Sequence, residues 1–224
     1  MSANNSCSPL EASVEWCEGK PVLPGIRRRT FFTHKSNITK WPTLEKDPVG
    51  RMKTPKYQGS FELKSGIYWK VFDVDVNKSG ITSEPQGEAP SQTQLNKATL
   101  VHPDVDEDAS MLPSYLNNSD VVYLVPTAAG KYRVIGNEMY QSKSTVNQDL
   151  GQGPTGTAGT TVNVEVTDSI APPFYEGEIV ISENETINPE GSGSGSGSES
   201  GSGSAAGSGS AAGSGSGSGS GNAE

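Results

Sequence analysis

The sequence predicts a mainly β protein: an antiparallel β-sandwich or barrel-like core with one short helix, long loops, an extended N-terminal arm and a disordered Gly/Ser C-terminal tail. Three observations predict it. Thr160–Asp168 (TTVNVEVTD) alternates, with Val162, Val164 and Val166 on one face and Asn163 and Glu165 on the other, the period of a half-buried strand. Two short apolar runs, Val121–Pro126 and Lys131–Gly136, flank Thr127-Ala-Ala-Gly130, the spacing of a hairpin. Aromatic and β-branched residues dominate the apolar set, with turns rich in Gly, Pro and Asn.

The elements follow in chain order. The stretch from Cys7 to Arg29 has no period and is punctuated by Pro and Gly. It reads as an extended arm, giving residues 1–30 as arm and 31–190 as the β-rich domain. Strands are expected at Tyr57–Lys64, Lys97–Val101 and Gly177–Ile181. Another is expected in Ile67–Val76, with Phe72, Val74 and Val76 facing one way and Val71, Asp73 and Asp75 the other. Acidic Asp106-Glu-Asp108 suits a first helical turn. Met111, Leu112, Tyr115 and Leu116 then form an apolar face, and Pro113 argues for a short or broken helix between about 106 and 118. Thr82–Thr93 and Gln148–Thr160 read as loops longer than hairpin turns, the kind that carry contacts. From Gly191 to Glu224 the chain is Gly, Ser and Ala apart from Glu199, Asn222 and Glu224, and holds 13 of the 27 glycines. With nothing to bury, it cannot offset the entropy of ordering, and GSGSAA twice in succession resembles a flexible linker.

Charge and composition narrow the function. The formal net charge is −9, or −7 once the two tail glutamates are set aside. An acidic chain does not suit general nucleic-acid binding, which needs Lys and Arg against phosphates. No apolar run approaches 18 residues and the opening MSANNSCSPL lacks the regions of a secretory signal, so neither a membrane anchor nor a leader is expected. Two cysteines, Cys7 and Cys17, make no disulfide framework, and with His34 and His102 they make no spaced zinc motif. No catalytic, cofactor or metal residue is therefore assigned, and no cofactor is expected.

Three motifs have both a chemical and a bland reading. Asp73, Asp75, Asn77 and Glu84 fall at calcium-loop positions 1, 3, 5 and 12, but Lys78 stands where the sharp turn needs glycine. The bland reading is a strand with an acidic face running into a turn. Gly151, Gly153 and Gly156 satisfy GxGxxG, but Pro154 lies inside and a strand follows where a phosphate-binding helix would have to open. The basic run Arg27-Arg28-Arg29 is read as a patch meeting acidic residues of another subunit. The residues expected at subunit interfaces are Arg27, Arg28, Arg29, Glu84, Gln86, Gly87, Glu88, Gly151, Gly153 and Gly156. Trp41, Tyr57 and Trp69 are assigned to the core.

Taken together, FFTHKSNITKWPTL (31–44), YQGSFELKSGIYWKVFDVDVNKSGITSEPQGE (57–88), DVVYLVPTAAGKYRVIGNEMY (120–140) and GTTVNVEVTDSIAPPFYEGEI (159–179) resemble tail-tube-like structural proteins of Bacteroidetes-type phages and prophages. The resemblance covers roughly residues 25–180 and none of its motifs is catalytic. It implies a non-enzymatic virion subunit, made in the bacterial cytoplasm, that forms hexameric rings stacked into a tube. An arm and a long loop would reach into neighbouring copies. Its partners would be copies of itself, other virion proteins, and DNA passing through without specific binding, past acidic walls that repel phosphate. Two other readings stay open. One is a capsid decoration or head–tail connector protein, which the tail favours as a surface bristle. The other is a monomeric β-sandwich ligand-binding module whose tryptophans stack on sugar rings.

Overall fold

Val121–Pro126 is the most apolar run of the chain, and it is buried at every position. A strand with one wet face would alternate, so this one must have protein on both sides. The computed structural model describes residues 11–189. Cys7 and the Gly/Ser/Ala tail lie outside the described residues, as does the second unit, Gly193–Glu224, into which the chain divides.

In chain order the strands are β1 (Arg29–His34), β2 (Ile38–Lys40), β3 (Thr43–Lys46), β4 (Met52–Gln58), β5 (Glu62–Leu63), β6 (Lys70–Asp73), β7 (Gly80–Gln86) and β8 (Thr93–His102). Helix α1 (Glu107–Leu116) follows, then β9 (Val121–Pro126), β10 (Tyr132–Ile135), β11 (Lys143–Asp149), β12 (Gly159–Asp168), β13 (Phe174–Tyr175), β14 (Ile179–Ser182) and β15 (Glu185–Ile187). They form a seven-stranded sheet in the order β3-β4-β13-β10-β9-β1-β6 and a four-stranded sheet in the order β11-β12-β8-β7. Two small two-stranded sheets, β2–β5 and the β14–β15 hairpin, are also present. Pairing is antiparallel except for β13 against β4. The mainly β, sandwich-like class expected from the alternation is the class observed.

The two faces of β9 feed separate cores. Val121, Tyr123 and Val125 join Phe32, Phe72 and Ile135 against Leu100, Val162, Val164 and Val166 of the second sheet and Leu112 and Leu116 of α1. Val122 and Leu124 join Phe31, Val134, Tyr175 and an aromatic knot of Tyr57, Phe61 and Trp69. Phe61 sits at the middle of the knot, with ring centroids 5.4 Å from Trp69, 5.1 Å from Tyr175 and 5.2 Å from Trp41, within the range where edge-to-face aromatic pairs are favourable. Trp69 and Tyr57 are core residues, and Trp41 is half-buried against the same cluster.

Several elements differ from expectation, each for a local reason. Thr82–Thr93 shortens to a loop over 87–92, because β7 and β8 pair from Gly80↔Thr99 to Gln86↔Thr93. Its polar sequence hides the strand because β7 is an edge, where Pro85 is tolerated and side chains meet water. Gln148–Thr160 shortens to a loop over 150–158, because β11 and β12 pair out to Asp149↔Gly159. The strand expected over Ile67–Val76 is only Lys70–Asp73. Phe72 and Val74 face the core, but Val76 is exposed, because the chain turns at Asp75–Lys78. Tyr57–Lys64 divides between β4 and β5. The helix is short, as expected, at Glu107–Leu116; it runs through Pro113 unbroken and is capped by Asp106, whose carboxylate accepts from the Ala109 N–H at 2.8 Å. Its buried stripe is Ala109, Leu112 and Leu116, while Met111 and Tyr115 face outward. β1 starts at Arg29, inside the expected arm, and Ile26 already bridges to Thr127.

Trp69→Ala removes the largest fully buried side chain and is expected to cost about 3–5 kcal/mol in urea unfolding. Trp16→Ala, on a side chain 66% exposed, is expected to leave the single chain's unfolding unchanged.

Candidate functional site

Each sequence-predicted contact residue has a definite place. The three arginines gather beside their own chain. Arg28 and Arg29 approach Asp73 at 3.4 and 3.8 Å, Arg29 reaches Glu185 at 3.9 Å, and the Arg27 Nε donates to the Ala128 carbonyl at 3.3 Å. Acids of the same chain thus already face Arg28 and Arg29. The side chains remain well exposed, so these pairs add little stability. Glu84 pairs with Lys97 across β7–β8. Gln86 donates to the Thr167 Oγ1 at 2.7 Å. Gly87 (φ +76°) and Glu88 form the hairpin tip, where the Glu88 carbonyl accepts from the Ser91 N–H.

The glycine loop curls on itself. Gly151 and Gly153 take positive φ, the Gly151 N–H donates to the Asp149 carboxylate at 2.9 Å, and Gly156 donates to the Gly153 carbonyl. A Cβ at Gly156 would collide with the Gln152 backbone. The loop opens into β12, not into a helix. Register places it beside Thr160↔His102, whereas the hairpin tip lies beside Asp168↔Gln94. The two groups of residues are therefore at opposite ends of the four-stranded sheet and do not converge.

The calcium-loop residues separate too. Asp73 faces the arginines, Asp75 accepts from the Asn77 N–H in a local turn, and Glu84 is on another strand beside Lys97. Among the described residues no three of His, Cys, Asp and Glu gather as metal ligands.

The arrangement that does converge lies at the end of the four-stranded sheet nearest the β7–β8 tip. There a cleft of about 410 Å³ opens between the β3–β4 hairpin, the start of β8, the end of β12 and the turn after β10. Trp41, Leu44, Met52, Tyr57, Met139 and Tyr140 line it, with Asn137, Glu138, Asp168 and Lys46 among its polar members. The backbone builds it in a traceable way. Gly136 (φ +129°) lies so close to β9 that a Cβ would stand 3.1 Å from the Val122 Cα. Asn137 is buried and donates to the Thr167 carbonyl at 2.7 Å. Its own carbonyl oxygen accepts from the Met139 and Tyr140 N–H groups at 3.0 and 2.7 Å. That Asx turn carries Glu138, Met139 and Tyr140 onto the rim, where all three are exposed.

Asp168 is the unusual member. It continues the inward register of Thr160, Val162, Val164 and Val166, so β12 carries it into the interior, where it is 7% exposed. Its Oδ1 accepts from the Ser169 N–H at 2.6 Å. Burial pushes its pKa up, while the Ser169 and Asn137 hydrogen bonds draw it down, and the net direction is up. No lysine or arginine among the described residues forms an ion pair with it. Burial also raises the Tyr57 phenol well above its ordinary value, with the charges of Asp168 and Glu138 adding to the effect. A cleft with aromatic walls and two carboxylates can hold an organic cation, which gains from both ring faces and negative charge.

No family model, curated protein or solved structure matches the chain.

Sequence reasoning missed this cleft. One signal was available: Asp168 falls in register with the three valines, which marks it as a carboxylate facing inward.

Because its folded pKa is raised, Asp168 binds its proton more tightly in the folded state. Its contribution is fully present below the ordinary aspartate range, near pH 4, and is lost as pH rises through the folded pKa. Asp168→Asn is therefore expected to melt higher than the native chain at pH 7, with the two converging below about pH 4. Thermal melts across a pH series, at concentrations where chains are separate, check this. A lower melting point for the variant at pH 7 would show that the charge is stabilising.

Proposed function

We propose that this chain is a structural, non-enzymatic subunit that assembles with copies of itself, in the manner the tail-tube resemblance implies: rings stacked as a conduit for DNA in a phage virion. The observation that carries the reading is the arm. From Glu11 to Gly25 it is exposed throughout, and its apolar side chains have no cover. Val14 is 97% exposed, Trp16 66%, Val22 74% and Leu23 60%. Scattered surface apolar residues need no explanation, but four on one extended segment mark an interaction surface. Such a segment loses water-exposed apolar area on docking, at about 25 cal/mol per Å².

The sheet edges support the same reading. β7 and β11 each have a neighbour on one side only in the four-stranded sheet, and the stretches of edge clear of Pro85 on β7 and of the Asn117-bound Val146 N–H on β11 are pairing templates. The acidic balance suits a wall along which DNA slides. A ligand-binding module is the second reading, favoured by the cleft around Asp168.

Light scattering over a concentration series, with negative-stain images of the same fractions, tests the proposal. Particles with a central hole are expected from the full chain. Trp16→Ser combined with Val22→Ser is expected to return them to the 23.4 kDa of one chain. A native chain that stays at that mass at the highest concentration overturns the reading.

A further inference from the structure

The arm and the cleft have complementary chemistry. Residues Cys17–Lys20 form a tight turn, closed by the Lys20 N–H donating to the Cys17 carbonyl at 3.1 Å, with Gly19 at φ +82°. A turn of this kind brings the residues that flank it together. Trp16, next to one end of the turn, and Lys20, at the other, thus offer an exposed indole and an ammonium within one short exposed stretch of chain. Among the described residues Lys20 pairs with no carboxylate, and Trp16 is 66% exposed.

The cleft offers the converse. Trp41, Tyr57 and Tyr140 supply aromatic surface, and Asp168 and Glu138 supply negative charge. A carboxylate 7% exposed and in no ion pair among the described residues carries a desolvation cost that an incoming ammonium relieves. Lys46, on the same wall, has its counterpart in Glu18 of the same turn. We infer that the cleft is the receptor for the Trp16–Lys20 turn of a second copy, with the indole against the aromatic wall and the Lys20 ammonium between Glu138 and Asp168. This inference rests on the assembly reading above, and it specifies which surface receives the arm.

Carbodiimide coupling of the full chain tests it, because that reagent joins an amine to a carboxylate only when the two are in contact. Equal amounts of ¹⁴N- and ¹⁵N-labelled protein are mixed, allowed to assemble, coupled and read by mass spectrometry, while light scattering follows particle size. Lys20–Glu138 peptides of mixed isotope are expected. Particles without that linkage, or with same-isotope linkage only, overturn the inference and leave the assembly reading standing. Absence of particles overturns both.

A charge exchange gives a second readout. Lys20→Glu and Glu138→Lys are each expected to weaken assembly about fivefold, the upper range for an exposed pair. The double variant is expected to recover part of the loss, because the new carboxylate at position 20 still faces Asp168, and recovery beyond additivity is the signature of a direct contact. Both side chains are exposed, so the variants should fold as the native chain does. Losses that simply add in the double variant overturn the inference.

Discussion

Every layer of this protein depends on one strand being dry on both sides. β9 has no face left for water, so something must cover each face of the larger sheet. The four-stranded sheet and α1 cover one, through Leu100, the β12 valines and Leu112. The small two-stranded sheets and the aromatic knot around Phe61 cover the other. A simple two-sheet sandwich would leave Val122 and Leu124 in solvent, at a cost of about 1.5–3 kcal/mol each. The short segments β2, β5, β14 and β15 are thus part of the core's closure. Tyr175 ties them together: its hydroxyl donates to the Glu178 carbonyl at 2.7 Å and accepts from the Phe61 N–H at 3.2 Å.

The legible parts of the fold were those where side-chain burial and strand period agree. β12 is one: Val162, Val164 and Val166 are inward, as alternation requires. The β9–β10 hairpin is another, with Gly130 at φ +90° in its turn. The illegible parts are edge strands. In β7, Thr82 to Pro85 are exposed, so no hydrophobic period exists to be read. Its strand geometry comes from backbone pairing with β8, a non-local fact. The β9 run was read as a strand, but its second covered face could not be inferred from six consecutive apolar residues, since the covering residues, Ile38 and Tyr57 among them, are far away in sequence.

The cleft shows the same limit more sharply. Its residues come from 41–57, 93, 137–140 and 168–169, segments with no sequence motif in common. What joins them is a chain of backbone-directed contacts through Asn137, which ties the turn after β10 to the end of β12. The contact residues expected from the sequence were chosen for loop length and glycine content. Those criteria found the hairpin tip and the glycine loop, which sit at opposite ends of one sheet. They could not find a site made by two sheets meeting.

The two free margins of the four-stranded sheet also bear on how the chain avoids the wrong kind of association. On β11 the outward Val146 N–H is already taken by the Asn117 side chain at 2.9 Å. On β7 Pro85 has no N–H to give. Each margin is thus interrupted near its middle or its far half, which shortens the run over which a stray chain could zip on and seed fibrous aggregates. A protein kept at high concentration gains solubility from these two interruptions.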